Sequence, residues 1–261
     1  MTADWTVLPA LFVAGTIIGS FISALTYRLP RNISMWHGRS SCTHCRQPIP
    51  WFYNIPVWGY AVQKGRCSSC GHPISIRYLV LEVVCGLMLI AGFLHFGFTM
   101  AWVKYSFLGY LLLAMSIVDH DYKIIPNKLN LTGLILGLTF ALVQGEQAFS
   151  DAFVGGLAGA FSFLMIRVVG TAAFKKEAMG LGDVKLAGVL GVFLGVQLLI
   201  AGVFFAFLLL TVVGWARALK DRRVGHREIP LAPYLCAGTV AALIAGHPFI
   251  EWYLQQFHVH G

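Results

Sequence analysis

Long apolar runs separated by short polar segments make up most of this chain of 261 residues. Several runs approach the ~20 apolar residues that an α-helix needs to cross a lipid bilayer. The run after Asp183 is too long for one crossing, so we divide it near residues 195–197. Because the runs are continuous rather than alternating, they predict helices and not a β-barrel. The predicted spans are residues 8–27, 79–98, 102–118, 129–143, 152–174, 184–196, 198–216 and 232–250.

The composition agrees with an all-α polytopic membrane protein of about eight transmembrane helices. Hydrophobic residues make up 57% of the chain and charged residues only 11%. A soluble domain of this size would carry roughly 25% charged residues. The first residues, MTADW, lack the basic segment that begins a signal peptide. We therefore expect the first apolar run to be retained as a helix.

Basic residues lie mainly in alternate loops between the predicted spans. Loops rich in Lys and Arg stay on the cytosolic side of a membrane, so we expect these loops in the cytosol and the N-terminus outside. The net charge of +8 is then a topology signal. A nucleic-acid-binding face is disfavoured because the cations are spread over four loops. The four loops are residues 28–77, 123–128, 175–185 and 217–227.

The first basic loop contains two C-x-x-C pairs. Each pair presents two thiolates on one tight turn, and two pairs can close a tetrahedral Zn²⁺ site. We predict a structural zinc site in a small zinc-ribbon-like domain, with His44 and His72 as spare ligands. The four cysteines are Cys42, Cys45, Cys67 and Cys70.

Two other uses of these cysteines stay open at this point. Disulfides are disfavoured because a cytosolic loop lies in a reducing compartment. A membrane thiol–disulfide oxidoreductase would use the pairs for redox chemistry, but it would need this loop on the outer face of the membrane. Cys85 and Cys236 lie in or near apolar runs and are expected to be inert core residues.

Two carboxylates are predicted at the same membrane edge. Asp119 directly follows the third span, and Asp183 directly precedes the sixth. Two carboxylates that share a site have separated pKa values, so that one serves as a base while the other stays protonated. This is the chemistry of an aspartic peptidase. Gly180 and Gly182 would let the backbone approach a substrate closely and adopt unusual dihedral angles.

These acids also have non-catalytic interpretations. Asp183 could be a helix N-cap, and Asp121 is a rival to Asp119 that we expect to be solvated. The two acids could instead bind ions in a transporter, although the chain shows no internal repeat of the kind that many transporters carry. Glu82, early in the second span, is expected to form a structural pair, with a loop cation as one possible partner.

Four segments resemble the type IV prepilin peptidases, the bifunctional leader peptidases and N-methyltransferases of type IV pilus and type II secretion systems. They are GSFISALTYRLP at the first span, the double C-x-x-C loop with WFYNIPVWGY between its pairs, GLGDVKLAGVLG around Asp183, and EIPLAPYL before the last span. The chain departs from the family pattern at Ser23, where Asn is usual, and at Asn127, where an acid usually follows Pro126.

The resemblance implies Asp119 and Asp183 as catalytic residues and prepilins or pseudopilins as substrates. It implies a multi-pass protein of the bacterial inner membrane that removes a basic leader at the cytosolic face. The enzyme would then methylate the new N-terminus with S-adenosylmethionine. No G-x-G-x-x-G motif places that cofactor; Glu82 and the cysteine loop are the nearest suggestions. The expected division is a first helix (1–28), a four-cysteine loop domain (29–78) and a membrane peptidase domain (79–261).

Overall fold

The computed structural model of the chain describes residues 5–34, 40–220 and 230–258. Within these ranges the regular structure is helical, and two isolated backbone bridges take the place of strands. Arg39 of the first basic loop and residues 221–229 of the last lie outside the described residues. The helices are α1 (Leu8–Arg28), α2 (Trp58–Val62), α3 (Ile76–Phe96), α4 (Met100–Tyr122), α5 (Asn127–Gln144), α6 (Glu146–Phe174), α7 (Leu181–Lys220) and α8 (Ala232–His258).

Six of the described helices are long and apolar enough to cross a membrane, namely α1 with its flanking turns, α3, α4, α6, α7 and α8. Helix α5 is apolar beyond its first turn, but Asn127, Lys128 and Asn130 make its beginning polar. Large apolar side chains stay exposed on the helices, as a lipid-facing surface requires: Ile200 is 65% exposed and Phe161 62%. These features confirm the predicted all-α polytopic membrane protein.

Helix α7 folds back on itself at Gly195. Its 40 residues would extend for about 60 Å as one helix, but Gly195 has φ 70° and ψ 176° and interrupts it. Gly159 of α6 faces both Ala187 and Leu199, which would be about 18 Å apart in a continuous helix. The two segments, α7a (181–194) and α7b (196–220), are therefore antiparallel. This confirms the predicted division of the long apolar run.

The chain forms two compact units, Met1–Tyr110 and Leu111–Gly261. In the first unit α1 and α3 pack as an antiparallel pair through small residues. A Cβ atom at Gly15 would lie 2.7 Å from the Cys85 carbonyl oxygen, and one at Gly19 would lie 2.7 Å from Glu82 Cα. Glycines at these two positions therefore allow the two backbones to approach each other closely.

The second unit relies on the same kind of packing. Gly155 of α6 and Gly191 of α7a meet backbone to backbone, and Gly202 of α7b meets Gly238 of α8 in the same way. Lipid supplies no hydrophobic driving force between helices, so close van der Waals contact at small residues takes over that role. The glycines thereby determine which turns of α6, α7 and α8 are neighbours.

The helix ends that carry polar residues meet at one end of the second unit. Gly133 of α5 packs against both Leu111 of α4 and Val189 of α7a, and the next turn, at Gly137, packs against Phe193. Helices α5 and α7a are therefore parallel. The backbone N–H of Ala232, the first residue of α8, donates a hydrogen bond to Asp119 in the last turn of α4. The end of α4 thus lies beside the start of α8.

Replacing Gly191 by Leu should prevent the close approach of α6 and α7a. The new side chain would collide with the backbone of Gly155, and overpacking of this kind costs on the order of 3 kcal/mol. We expect a lower thermal unfolding midpoint of the detergent-solubilised protein and a lower yield of monodisperse protein. The matched control is Gly214→Leu on the same helix, where nothing lies within 4 Å of a Cβ atom; an equal loss in both variants would contradict this packing.

Candidate active site and metal centre

Asp119 lies in the last turn of α4 and is only 7% exposed. Its Oδ2 atom accepts a hydrogen bond of 3.1 Å from the backbone N–H of Ala232. The first N–H groups of a helix have no partner within that helix and carry partial positive charge. The start of α8 therefore stabilises a carboxylate at this position.

Asp183 is the third residue of α7 and is half-buried. Its backbone N–H donates to the Gly180 carbonyl at 3.2 Å, and its Oδ2 atom would lie 3.2 Å from a Cβ atom at Gly180. Asp183 is therefore not the N-cap residue. Its backbone N–H bonds back to the residue before the helix, and its carboxylate lies beside that same residue.

Asp119 and Asp183 lie at the same end of the second unit, because Ile125, six residues after Asp119, packs against Gly182, next to Asp183. The two carboxylates are near enough for the charge of Asp119 to act on Asp183. Asp119 belongs to α4 and Asp183 to α7, and the two aspartates are 64 positions apart in the chain (183 − 119). Asp121, the rival of Asp119, is exposed. The structure thus brings together two of the three aspartates that the sequence singled out. Water, a proton and two acidic groups at one place are what peptide hydrolysis by carboxylates needs.

The two glycines before Asp183 allow neighbouring atoms to pack closely against the backbone, and they do not adopt unusual backbone angles. Neither Gly180 nor Gly182 is among the residues with positive φ. A Cβ atom at Gly182 would lie 2.9 Å from the Cβ of Ile125, in the connection between α4 and α5, and one at Gly180 would lie 3.2 Å from Asp183 Oδ2. Gly182 therefore lets the start of α7 press against the segment that follows Asp119.

Two cationic side chains near Asp183, Lys185 and Arg167, make polar contacts that were not foreseen from the sequence. Lys185 Nζ donates to Asn127 Oδ1 at 2.7 Å, which joins the first turns of α7 and α5. The guanidinium of Arg167, on α6, bonds to the Met179 carbonyl and to Glu177 at 3.1 Å. Arg167 thus holds the segment that leads into Gly180. Its signal in the sequence was a lone cation within an apolar run.

The four cysteines of the first unit form one cluster. Their sulfur atoms all lie within 4.8 Å of one another, and the Sγ atoms of Cys42 and Cys70 are 4.0 Å apart. Distances of this size suit sulfurs at the corners of a tetrahedron around one metal ion. All four are free thiols rather than disulfides. The cluster could therefore hold a metal ion, as the spacing of the cysteines predicted.

The two cysteine turns repeat each other at an interval of 25 residues (67 − 42). In the first turn Cys42 N–H bonds to Gln47 O and Arg46 N–H bonds to Cys42 O; in the second the pairs are Cys67 with His72 and Gly71 with Cys67. Arg46 (φ 59°) and Gly71 (φ 69°) occupy the same left-handed position. Each turn folds its pair of sulfurs toward the cluster through backbone bonds alone.

Neighbouring groups shift the pKa values of two of the four thiols in opposite directions. The backbone N–H groups of Cys70 and Ser69 lower the pKa of Cys67 to about 6. The His72 N–H lowers the pKa of Cys70, but desolvation and the neighbouring sulfurs outweigh it and raise that pKa to about 11. Four thiolates at this distance need a cation to offset their repulsion. His44 and His72 stack on each other, with ring centroids 4.2 Å apart.

Glu82 anchors the segment between the two cysteine pairs. It is 8% exposed, and its Oε2 accepts a hydrogen bond of 2.7 Å from the backbone N–H of Val57. Val57 has φ 62°, a strained angle for a β-branched residue. Glu82 therefore makes a structural pair, as expected, but its described partner is a backbone amide rather than a loop cation.

Comparison with known proteins places this arrangement in a family. Residues 13–96 match the bacterial peptidase A24 N-terminal domain, and residues 106–215 match the type IV leader peptidase family. A Bacillus subtilis protein is 33% identical over 249 residues, which cover 95% of this chain and 98% of the relative. The chain belongs to the type IV leader peptidase family.

Two further relatives of this type IV leader peptidase come from Myxococcus xanthus and Aeromonas hydrophila. The Myxococcus xanthus protein is 36% identical over 217 residues, or 83% of this chain and 65% of the relative. The Aeromonas hydrophila protein is 29% identical over 277 residues, or 97% of this chain and 96% of the relative. All three are named prepilin leader peptidase/N-methyltransferase. No solved structure matches the chain.

Family membership confirms the resemblance found in the sequence. The protein is a peptidase with methyltransferase activity, and its apolar helices make it a multi-pass protein of the bacterial inner membrane.

Replacing Glu82 by Ala should release the segment around Val57, because the Val57 N–H loses its buried acceptor. We expect faster limited cleavage by trypsin after Lys64 and Arg66 in the detergent-solubilised protein, by several-fold. Glu82→Gln is the matched control, because its amide oxygen can still accept the hydrogen bond. If the Ala variant is cleaved no faster than the Gln variant, the hydrogen bond does not hold the loop.

Proposed function

We propose that this protein is a membrane aspartic endopeptidase that removes the basic leader of type IV prepilins or pseudopilins and then N-methylates the new first residue. The observation that carries the proposal is the meeting of Asp119 and Asp183 at one end of the second unit. The names of the relatives support the choice of substrate.

The two carboxylates act as an acid–base pair that shares one proton. One carboxylate accepts a proton from water as the water oxygen attacks the scissile carbonyl carbon. The other, protonated, donates to the carbonyl oxygen. When the tetrahedral intermediate collapses, the C–N bond breaks, the leaving amine takes the proton that the first carboxyl group accepted from water, and the second carboxylate takes back a proton from the former carbonyl oxygen. Because the titrations of a pair are coupled, the base is a role of the pair rather than of one residue.

The position of the pair suits a substrate that ends in a membrane helix. Asp119 and Asp183 lie at the ends of long apolar helices, where water can reach a peptide bond. The distribution of basic residues favours the cytosolic side for this end, an extracytosolic N-terminus and a cytosolic four-cysteine loop. The basic leader of the substrate would stay in the cytosol while its apolar stem lies among the helices.

Zinc is the metal that best fits the cysteine cluster. Four thiolate donors without water or carboxylate ligands are typical of closed, structural zinc sites. The metal would cross-link the two cysteine turns and would take no part in catalysis. This assignment also opposes a thiol–disulfide oxidoreductase, whose cysteines would pair as disulfides rather than gather as four sulfurs around one point. S-adenosylmethionine is the proposed methyl donor, and we assign no residues to it.

Asp119→Asn and Asp183→Asn should each abolish leader cleavage. Loss of one member of a catalytic pair removes the transfer of the proton and lowers the rate on the order of 10⁴-fold. Cleavage of a purified prepilin in detergent or liposomes measures the effect, and N-terminal sequencing of the product locates the cut. The matched control is Asp121→Asn, an exposed aspartate two residues from Asp119, which should keep wild-type activity.

Full activity in either of the first two variants would remove that aspartate from the mechanism. Equal loss in all three variants would point to a general effect of charge at the end of α4.

The protein should contain one zinc ion per chain. Elemental analysis of the purified protein measures the ratio, and Cys45→Ser or Cys67→Ser should reduce it well below one, because each variant leaves three thiolates. Cys236→Ser, on α8 and outside the cluster, is the control and should keep the metal. Another ion at one equivalent, or zinc retained in both ligand variants, would contradict the assignment.

A further inference from the structure

Asn130 is a buried amide without a hydrogen-bond partner among the described residues. It lies in the first turns of α5 and is 4% exposed, and neither its Nδ2 nor its Oδ1 atom has a partner within the part of the chain that the structure describes. Buried polar groups are nearly always hydrogen-bonded, because leaving them unpaired costs free energy. An apolar side chain would fit this position better if packing were its only role.

Asn130 belongs to the face of α5 that packs between α4 and α7a. Gly133, one turn further along, contacts both Leu111 of α4 and Val189 of α7a. The buried residues of α5 form one stripe that begins at Leu129 and Asn130 and continues through Gly133, Gly137 and Ala141. Asn130 therefore lies on the buried face of α5 that, one turn further on, meets both helices that carry Asp119 and Asp183.

The helix register places Asn130 slightly deeper in the membrane than the two carboxylates. Taking the level of Gly133, Leu111 and Val189 as reference, Asp119 lies eight residues and Asp183 six residues toward the polar end, or roughly 12 and 9 Å at the helical rise. Asn130 lies three residues toward the same end, or roughly 4.5 Å. It is thus about 4–8 Å below the pair.

A substrate helix needs a partner for its backbone at this depth. A peptide bond inside an α-helix is shielded, so the chain around the scissile bond must unwind to reach the two aspartates. Lipid cannot satisfy the N–H and C=O groups that unwinding frees. A side-chain amide has both a donor and an acceptor, and it matches a peptide group of an extended chain in both respects.

We propose that Asn130 hydrogen-bonds the substrate main chain just beyond the cleaved bond, a specificity-determining contact that rests on the proposed function above. A separation of about 4–8 Å corresponds to about two residues of extended chain. The contact therefore falls at the second or third residue after the cut. It holds the unwound part of the substrate in position while the aspartates act on the scissile bond.

Replacing Asn130 by Leu or by Ala tests this role. We expect kcat/KM for prepilin cleavage to fall about tenfold, which is the effect of one lost hydrogen bond, while the thermal unfolding midpoint stays the same or rises. A structural role would instead lower the midpoint. The matched control is Thr132→Val on an exposed face of α5, whose hydroxyl bonds within the helix, to the Lys128 carbonyl. It should change neither quantity.

A substrate with a modified backbone provides a second test of the contact at Asn130. A prepilin in which an ester oxygen replaces the backbone N–H of the second or third residue after the cut should be cleaved about tenfold more slowly by the wild-type protein, again the effect of one hydrogen bond. With Asn130→Ala it should lose less than the unmodified prepilin does, because one of the two hydrogen bonds is already absent. Additive losses, unchanged kcat/KM in both Asn130 variants, or losses that follow a lower unfolding midpoint would each overturn the proposal.

The same assay separates this inference from the proposed function. An inactive Asp119→Asn protein beside fully active Asn130 variants would leave the peptidase mechanism intact and remove only the contact at Asn130. An active Asp119→Asn protein would remove the mechanism itself.

Discussion

The first N–H groups of a helix have no partner within that helix, and the candidate active site is organised around the starts of two helices. The N–H of Ala232, at the start of α8, bonds to Asp119, while Asp183 lies in the first turn of α7 with its carboxylate beside Gly180. Each carboxylate therefore lies at the beginning of a helix, where the unpaired N–H groups carry partial positive charge. The two acids can be close in an apolar protein because these dipoles offset part of their charge.

Close helix packing brings these ends to one level. Glycine contacts determine the register of α6, α7 and α8, and the reversal at Gly195 lets one long apolar run supply two neighbouring segments. At the polar end, Gly182 presses on Ile125, Lys185 joins Asn127, and Arg167 holds the segment before Gly180. A site assembled in this way depends on packing throughout the second unit, because lipid contributes little to helix association.

The cysteine loop of the first unit faces a different constraint. Between α1 and α3 the described chain forms short helical turns and two isolated bridges, and it encloses little apolar core. Segments this small usually need a metal or a disulfide to hold one conformation. The two cysteine turns supply four sulfurs that could bind a metal ion. Glu82 joins the middle of the loop to α3 through its hydrogen bond with Val57.

The sequence alone determined the helical elements and the cysteine cluster, because apolar runs and C-x-x-C spacing are local patterns. It located the helices, the break near Gly195 and the four cysteines, and it predicted Asp119 and Asp183 as a pair at one membrane edge. Only the tertiary structure decided the partners: Ala232 for Asp119, Asn127 for Lys185, Val57 for Glu82 and, among the described residues, none for Asn130. Those pairings depend on which turns of neighbouring helices pack against each other. The register of the helices follows from close backbone contacts at glycines, and a sequence pattern does not reveal which residues those glycines will contact.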